Sequence, residues 1–366
     1  MLFLVAGLAA ALPVLAERPT AGSELATTWR GYCMEFIQSD GRVLDRSEGD
    51  RSTSEGQAYA MARAVWMDDQ ETFQRVRDWT RDNLQGGEPT RLPAWNWGRS
   101  ESGAWEVLDT NPASDADIWM AFALLMAAER WDASHYAEQA IGLLEQIWNQ
   151  ETLLVGPRRF LLPGPWAIHE SPLRLNPSYV FPSAFRLFAA ADPAHAWNTL
   201  LDDSYWLLEV TRRSDGLPPD WVWFDLEVMQ FASAPEGQEQ GTAFGYEALR
   251  IPWVLAADTI WYGDPRAAAL LWGMTGLVTR WREEGSLPAV ILKDGSAGRP
   301  YAFLGMYGAL LPAWKLTHPE DAQRLVEDVI QAARTSGGWG SERDYYGQNW
   351  VWFGLALESG LAGRPG

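Results

Sequence analysis

The stretch NPASDADIWMAFALLMAAERWDA, residues 111–133, carries the pattern from which the fold is read. After the break at Pro112, Ser114 or Asp115 starts a helix, and apolar residues recur at helical spacing up to Arg130. The helix stops at Trp131-Asp132-Ala133, and a second helical pattern begins at once over 134–148. That is a helical hairpin with a very short connection. Working outward in both directions, apolar spacing and breakers predict about twelve helices. They lie near 25–38, 55–68, 69–85, 115–130, 134–148, 179–190, 194–211, 246–258, 265–282, 301–313, 318–334 and 346–359. Connections inside pairs are short, as at Asp68-Asp69, whereas those between pairs are long and rich in Gly, Pro and Trp: 86–114, 149–178, 212–245 and 283–300. The fold class is therefore all-α. Hairpins with alternating short and long connections point to an (α/α)6 barrel whose long loops gather at one mouth. A helical solenoid is the alternative, but its repeats would resemble one another more closely than these do.

The bulk numbers narrow the function. With 366 residues, 47% of them hydrophobic, the chain can bury a large core, and residues 17–366 read as one domain. A formal net charge of −19 disfavours nucleic acid and anionic lipid as partners, whereas a neutral polymer would be indifferent to it. There are 22 Trp, 11 Tyr and 13 Phe. Most must fill the core, and a surplus would supply flat platforms for sugar rings. Residues 1–16, MLFLVAGLAAALPVLA, are apolar, too short for a membrane span, and end in a small-residue pattern, so they read as a signal peptide with periplasmic or secreted export. No transmembrane segment follows. Cys33, the only cysteine, permits no intramolecular disulfide and is expected to pack in a helix.

Three segments carry carboxylates at helix starts that follow loops. In STSEGQAYAM, Ser52 to Met61, the hydroxyls offer a cap and Glu55 falls in the first turn. Gly56 is odd beside a simple capping carboxylate, since Gly weakens a helix, and it would let a ligand approach Glu55. Asp115 and Asp117, two apart, point to different helix faces, so one is expected to face the mouth while the other braces the loop. In FGYEALRIPW, Phe244 to Trp253, Glu247 and Arg250 are three apart and could form an intrahelical ion pair, yet the segment follows a Gly-rich loop that places it at the mouth. Each carboxylate could equally be a plain helix-dipole partner. Together they suit glycoside hydrolysis, which needs one protonated and one ionised carboxyl. The four His residues lie far apart with no metal-ligand spacing, neither a phosphate-cradling loop nor a nucleophile elbow appears, and no cofactor is implied.

The strings SEGQAYAM, PASDADIWMAFALLMAAERW, NPSY and YEALRIPW resemble glycoside hydrolase family 8, over nearly the whole chain from Trp29-Arg30-Gly31-Tyr32 to Tyr345-Tyr346. The resemblance implies an (α/α)6 barrel and hydrolysis with inversion at the anomeric carbon. It implies Glu55 as general acid and Asp115 as the residue holding the distorted sugar ring. The family's base is an Asp in a Tyr-Asp-Ala-x-Arg string, and Glu247 stands at that position here. Asp220 and Asp225 are weaker substitutes. Tyr179, Arg250 and Tyr346 are further cleft residues on the same resemblance, and Trp95 or Trp97 is expected as a stacking platform. The compact length is similar to that of members accompanying bacterial cellulose synthase, which implies association with that machinery. The expected activity is an endo-β-1,4-glucanase on cellulose or a related β-glucan, for which a monomer suffices. Alternatives are the same fold acting on chitosan, mixed-linkage glucan or xylan, or a non-catalytic glycan-binding protein of cellulose export.

Overall fold

The structure, a computed structural model, describes residues 21–365, and the expected signal segment 1–16 lies outside the described residues. The helices α2 (Ser54–Trp66), α4 (Ser114–Arg130), α6 (Pro182–Ala191), α8 (Ile251–Tyr262), α11 (Leu304–Thr317) and α13 (Tyr345–Glu358) pack side to side in that order. The ring closes where α13 meets α2. An outer helix covers each: α3 (Gln70–Asn83) on α2, α5 (Ser134–Glu151) on α4, α7 (Trp197–Thr211) on α6, α9 (Pro265–Gly273) on α8 and α12 (Pro319–Leu325) on α11. The cover on α13 is α1 (Ala21–Phe36), from the opposite end of the chain. This is the (α/α)6 barrel expected from the hairpin pattern.

Burial separates the two layers. The inner helices α2 and α4 are buried on nearly every side, as their apolar runs require, whereas α3 buries a stripe at Thr72, Phe73, Val76, Arg77, Trp79 and Thr80. Much of the aromatic surplus fills the barrel axis: Trp119 lies 5.2 Å from Phe353, 5.3 Å from Tyr59 and 5.5 Å from Trp253 between ring centroids. Where α11 and α13 cross, a Cβ on Gly354 would stand 2.0 Å from the Gly308 carbonyl oxygen, so the two backbones touch. Cys33 packs in α1.

Three expected helices differ. The 265–282 segment breaks at Met274 into α9 and α10 (Thr275–Glu284), because the turn around Gly216 presses into the break. A Cβ there would meet Gly273 O at 1.8 Å, and Asp215 O accepts from Gly276 N. The 318–334 segment leaves α geometry at Leu325 and continues as a π turn over Val326–Ile330. Helix α8 starts at Ile251 rather than 246, after a 3-10 turn over Ala248–Arg250.

The long loops meet at one end of the barrel and are tied together by short antiparallel strands. There, β1 (Ser52–Thr53) pairs with β2 (Asn96–Arg99), which pairs with β3 (Trp105–Asp109). The β4–β5 hairpin follows (Thr152–Val155, Arg158–Leu161). Strand β6 (Leu173–Leu175) pairs with β7 (Val222–Asp225), and Phe244 bridges to Ile291. Among the described residues, no helix is long and apolar enough to cross a membrane.

Candidate active site

Glu55 stands in the first turn of α2, where the Thr53 hydroxyl caps the helix by accepting from Gly56 N at 3.0 Å. Strand β1 presses this start against the next loop, with Thr53 opposite Asn96 and Ser54 N donating to Trp95 O at 3.1 Å. A Cβ on Gly56 would lie 3.3 Å from Thr53 Oγ1, 3.4 Å from the Tyr345 ring and 3.5 Å from Val43, so this side of the glycine faces protein at close to ordinary contact distance.

Arg250 gathers the three carboxylates. Its guanidinium is 3% exposed. Nη1 donates to Glu55 Oε2 at 3.2 Å and to Asp115 Oδ2 at 2.7 Å. Nη2 donates to Ser178 Oγ at 2.9 Å and to Glu247 Oε2. Asn176 Nδ2 donates to the same Glu247 oxygen at 3.0 Å. Glu55 and Glu247 thus sit on opposite arms of one guanidinium, which keeps them inside the ~9.5 Å upper limit for an acid and a water-activating base. The remaining Glu247 face opens on a cavity of about 930 Å³ lined also by Asp220, Trp221, Tyr246, Arg174 and Tyr301.

Burial holds Glu55 up to about 8, against the pull of Arg250 and with help from the charges of Asp115 and Glu247. Desolvation thus outweighs the helix N-terminus, which favours the ionised form of Glu55. Burial also raises Glu247, again opposed by Arg250. The site accordingly holds a proton on Glu55 at neutral pH beside a permanent cation.

The aromatic candidates divide. Tyr179 lies half-buried with the Arg250 guanidinium 5.1 Å from its ring and packs edge-on against Trp221. The Tyr346 hydroxyl donates to Tyr246 O at 2.8 Å, and its ring stacks on Phe303. Trp95 flanks the start of α2, half-buried. Trp97 is drawn into a cluster with Trp79, Trp105 and Arg42, so its ring is packed rather than open as a platform. Asp225 caps the turn after β7 by accepting from Glu227 N and Val228 N, away from Arg250.

Several residues were not singled out by sequence. The Tyr345 hydroxyl donates to Glu55 Oε1 at 3.1 Å, and Tyr59 donates to Oε2 at 3.4 Å. Tyr59 lies one helical turn after Glu55, a spacing that could have flagged it. Asn176 and Ser178, in the NPSY string, carried no separate signal. Among the described residues, no cluster of His, Cys, Asp and Glu is arranged to hold a metal ion.

Asp115 and Asp117 do face different ways. Asp117 points inward to Glu151 at the end of α5, both carboxyls 0% exposed and with no partner but each other. Burial raises both well above the ordinary range, so the pair is held by a proton. The unfolded chain releases these protons above pH ~4 while the folded one retains them. The pair's stabilisation is therefore complete below that pH and is lost as pH rises towards the folded values. Asp117→Asn should flatten the decline of Tm between pH 5 and pH 8, and an unchanged slope in the variant would contradict the shared proton.

Residues 5–359 match the family model described as glycosyl hydrolases family 8. The chain is 38% identical over 356 residues to an endoglucanase of Xanthomonas axonopodis pv. citri (strain 306), covering 95% of this chain and 91% of that one. It is 32% identical over 335 residues to an endoglucanase of Escherichia coli (strain K12), covering 88% and 86%. The structure is similar to that of endo-1,4-D-glucanase from Vibrio fischeri ES114, with TM-score 0.78 and 30% identity over 90% of this chain and 94% of that one. By the extent of the match and these identities, the chain belongs to glycosyl hydrolase family 8.

Proposed function

We propose that the chain is an inverting endo-β-1,4-glucanase acting on cellulose or a closely related β-glucan. The observation that carries this reading is Arg250 holding Glu55, Asp115 and Glu247 together in one cluster, where burial favours the protonated form of Glu55. Glu55 protonates the glycosidic oxygen as the bond from the anomeric carbon breaks. Glu247, ionised against Arg250 and Asn176, takes a proton from a water that attacks the opposite face of the ring. Asp115 orients the sugar between them. Tyr345 and Arg250 then stabilise the carboxylate that Glu55 becomes. The endo mode is supported by the name of relatives that cover most of the chain, and the 1,4 linkage by that of the Vibrio fischeri structure. Work outside the cytoplasm, beside a cellulose synthase, belongs to the same reading and rests on the apolar residues 1–16 and the likeness in length and wording.

The test is release of reducing ends from carboxymethyl cellulose, with the first-formed anomer followed by NMR. The α-anomer should appear first. A β-anomer would overturn inversion, and no turnover on cellulose, chitosan or xylan would overturn the enzyme reading. The pH profile supplies a second expectation. An acid must be protonated to act, so kcat/KM should fall as pH rises through about 8, the value at which Glu55 loses its proton. On the acid side activity should fall above the ordinary carboxylate range, because Glu247 is raised. A profile flat to pH 9.5 would remove Glu55 from the acid role.

A further inference from the structure

Glu247 precedes the 3-10 turn Ala248–Arg250 in the position of a helix cap, yet its side chain caps nothing, being committed to Arg250 and Asn176. The cap comes from another loop. Asp220 Oδ1 accepts from Gly245 N at 2.9 Å and from Ala248 N at 2.8 Å, so a single oxygen fastens both sides of Glu247. Asp220 is itself fixed, its own N–H donating to Ala243 O at 2.7 Å. Two hydrogen bonds between Phe244 and Ile291 pin the residue just before Gly245. The fit around Gly245 is tight, since a Cβ there would stand 2.7 Å from Asp220 Oδ2.

We propose that Asp220 is the positioning residue for Glu247, supplying from the β7 side the cap that frees the Glu247 carboxylate to face the cavity. The inference rests on Glu247 being the base. A base must stand within hydrogen-bond reach of the water it deprotonates, and a displacement of ~1 Å costs about 10²-fold in rate. What Asp220 contributes is an acceptor oxygen in a fixed place, not a proton transfer. Burial raises Asp220 to about 7, but an amide oxygen would accept from the same two N–H groups at any pH.

The experiment compares kcat and KM on carboxymethyl cellulose for wild type, Asp220→Asn, Asp220→Ala, Gly245→Ala and Glu247→Gln, with Tm for each. Asp220→Ala should lose about 10²-fold in kcat with little change in KM. Asp220→Asn should retain most of the wild-type kcat, which is rescue by the conservative variant. Gly245→Ala should reproduce the kcat loss without touching Asp220, because the added methyl displaces its carboxyl. Asp220→Asn as inactive as Asp220→Ala, at normal Tm, would overturn the inference by making the carboxylate itself the requirement. So would full activity in Asp220→Ala. An active Glu247→Gln would instead sink the assignment of the base, leaving a different and recognisable pattern.

Discussion

Glu55→Gln should release reducing ends from a cellulosic polymer ~10⁴-fold more slowly than wild type, the upper range of what a positioned acid contributes. The amide is close in shape to the acid, and the partners around it stay in place: Thr53 still caps α2, and Tyr345 can still donate to the side-chain oxygen. What is lost is the proton that the leaving oxygen needs. The deficit should therefore shrink sharply on a dinitrophenyl β-cellobioside, whose departing phenolate needs no proton. Glu247→Gln should be impaired to a similar extent, but equally on both substrates, because a base acts on the water and is indifferent to the leaving group. The crossed pattern separates the two roles within one pair of variants. If both variants lost activity equally on both substrates, the acid and base assignments could not stand.

Arg250→Met should inactivate the enzyme and destabilise it by roughly 3–5 kcal/mol, the cost of removing one partner from a buried ionic cluster. The guanidinium is 3% exposed and touches Glu55, Asp115, Ser178 and Glu247. Without it the carboxyls keep neutrality only by binding protons, and a protonated Glu247 cannot serve as base. Their folded affinities for protons rise in the variant, so its stability is retained at low pH and lost as pH increases. The Tm deficit relative to wild type should accordingly be smaller at pH 5 than at pH 8. Arg250→Lys should recover part of the stability and little of the activity, since one ammonium cannot span both arms of the fork. A deficit equal at both pH values would mean that lost packing, not charge, is what Arg250 supplies.

Hairpin periodicity was legible because inner helices buried on all sides and outer helices with one apolar stripe write different patterns, as α4 and α3 do. Glu55, Asp115 and Glu247 were legible for a related reason, since each follows a loop and stands at or just before the start of an inner helix. The break at Met274 was hidden, because its cause is the Gly216 turn, over fifty residues away, pressing on Gly273. Tyr345 was equally hidden, since its hydroxyl reaches Glu55 across 290 positions of sequence and only ring closure brings them together. Asp220 was ranked low as a substitute for Glu247, yet its place is beside it, through two backbone N–H groups that no residue pattern reveals.

The sixth hairpin is made from α1 and α13, so the first described helix must wait for the last. Trp352 Nε1 donates to Leu25 O across 327 positions, and Asn349 Nδ2 donates to Tyr32 Oη across 317. During vectorial synthesis the nascent ring stands open, with the flank of α2 and the aromatic axis around Tyr59 and Trp119 unsealed until α13 emerges. Contacts of such long sequence separation form slowly, and the interval exposes sticky surface to other chains. Tyr345 arrives with that closing helix, which means that the Glu55 environment is assembled in the same step that seals the ring. A nascent chain interrupted before α13 would thus lack its catalytic acid environment as well as its seal.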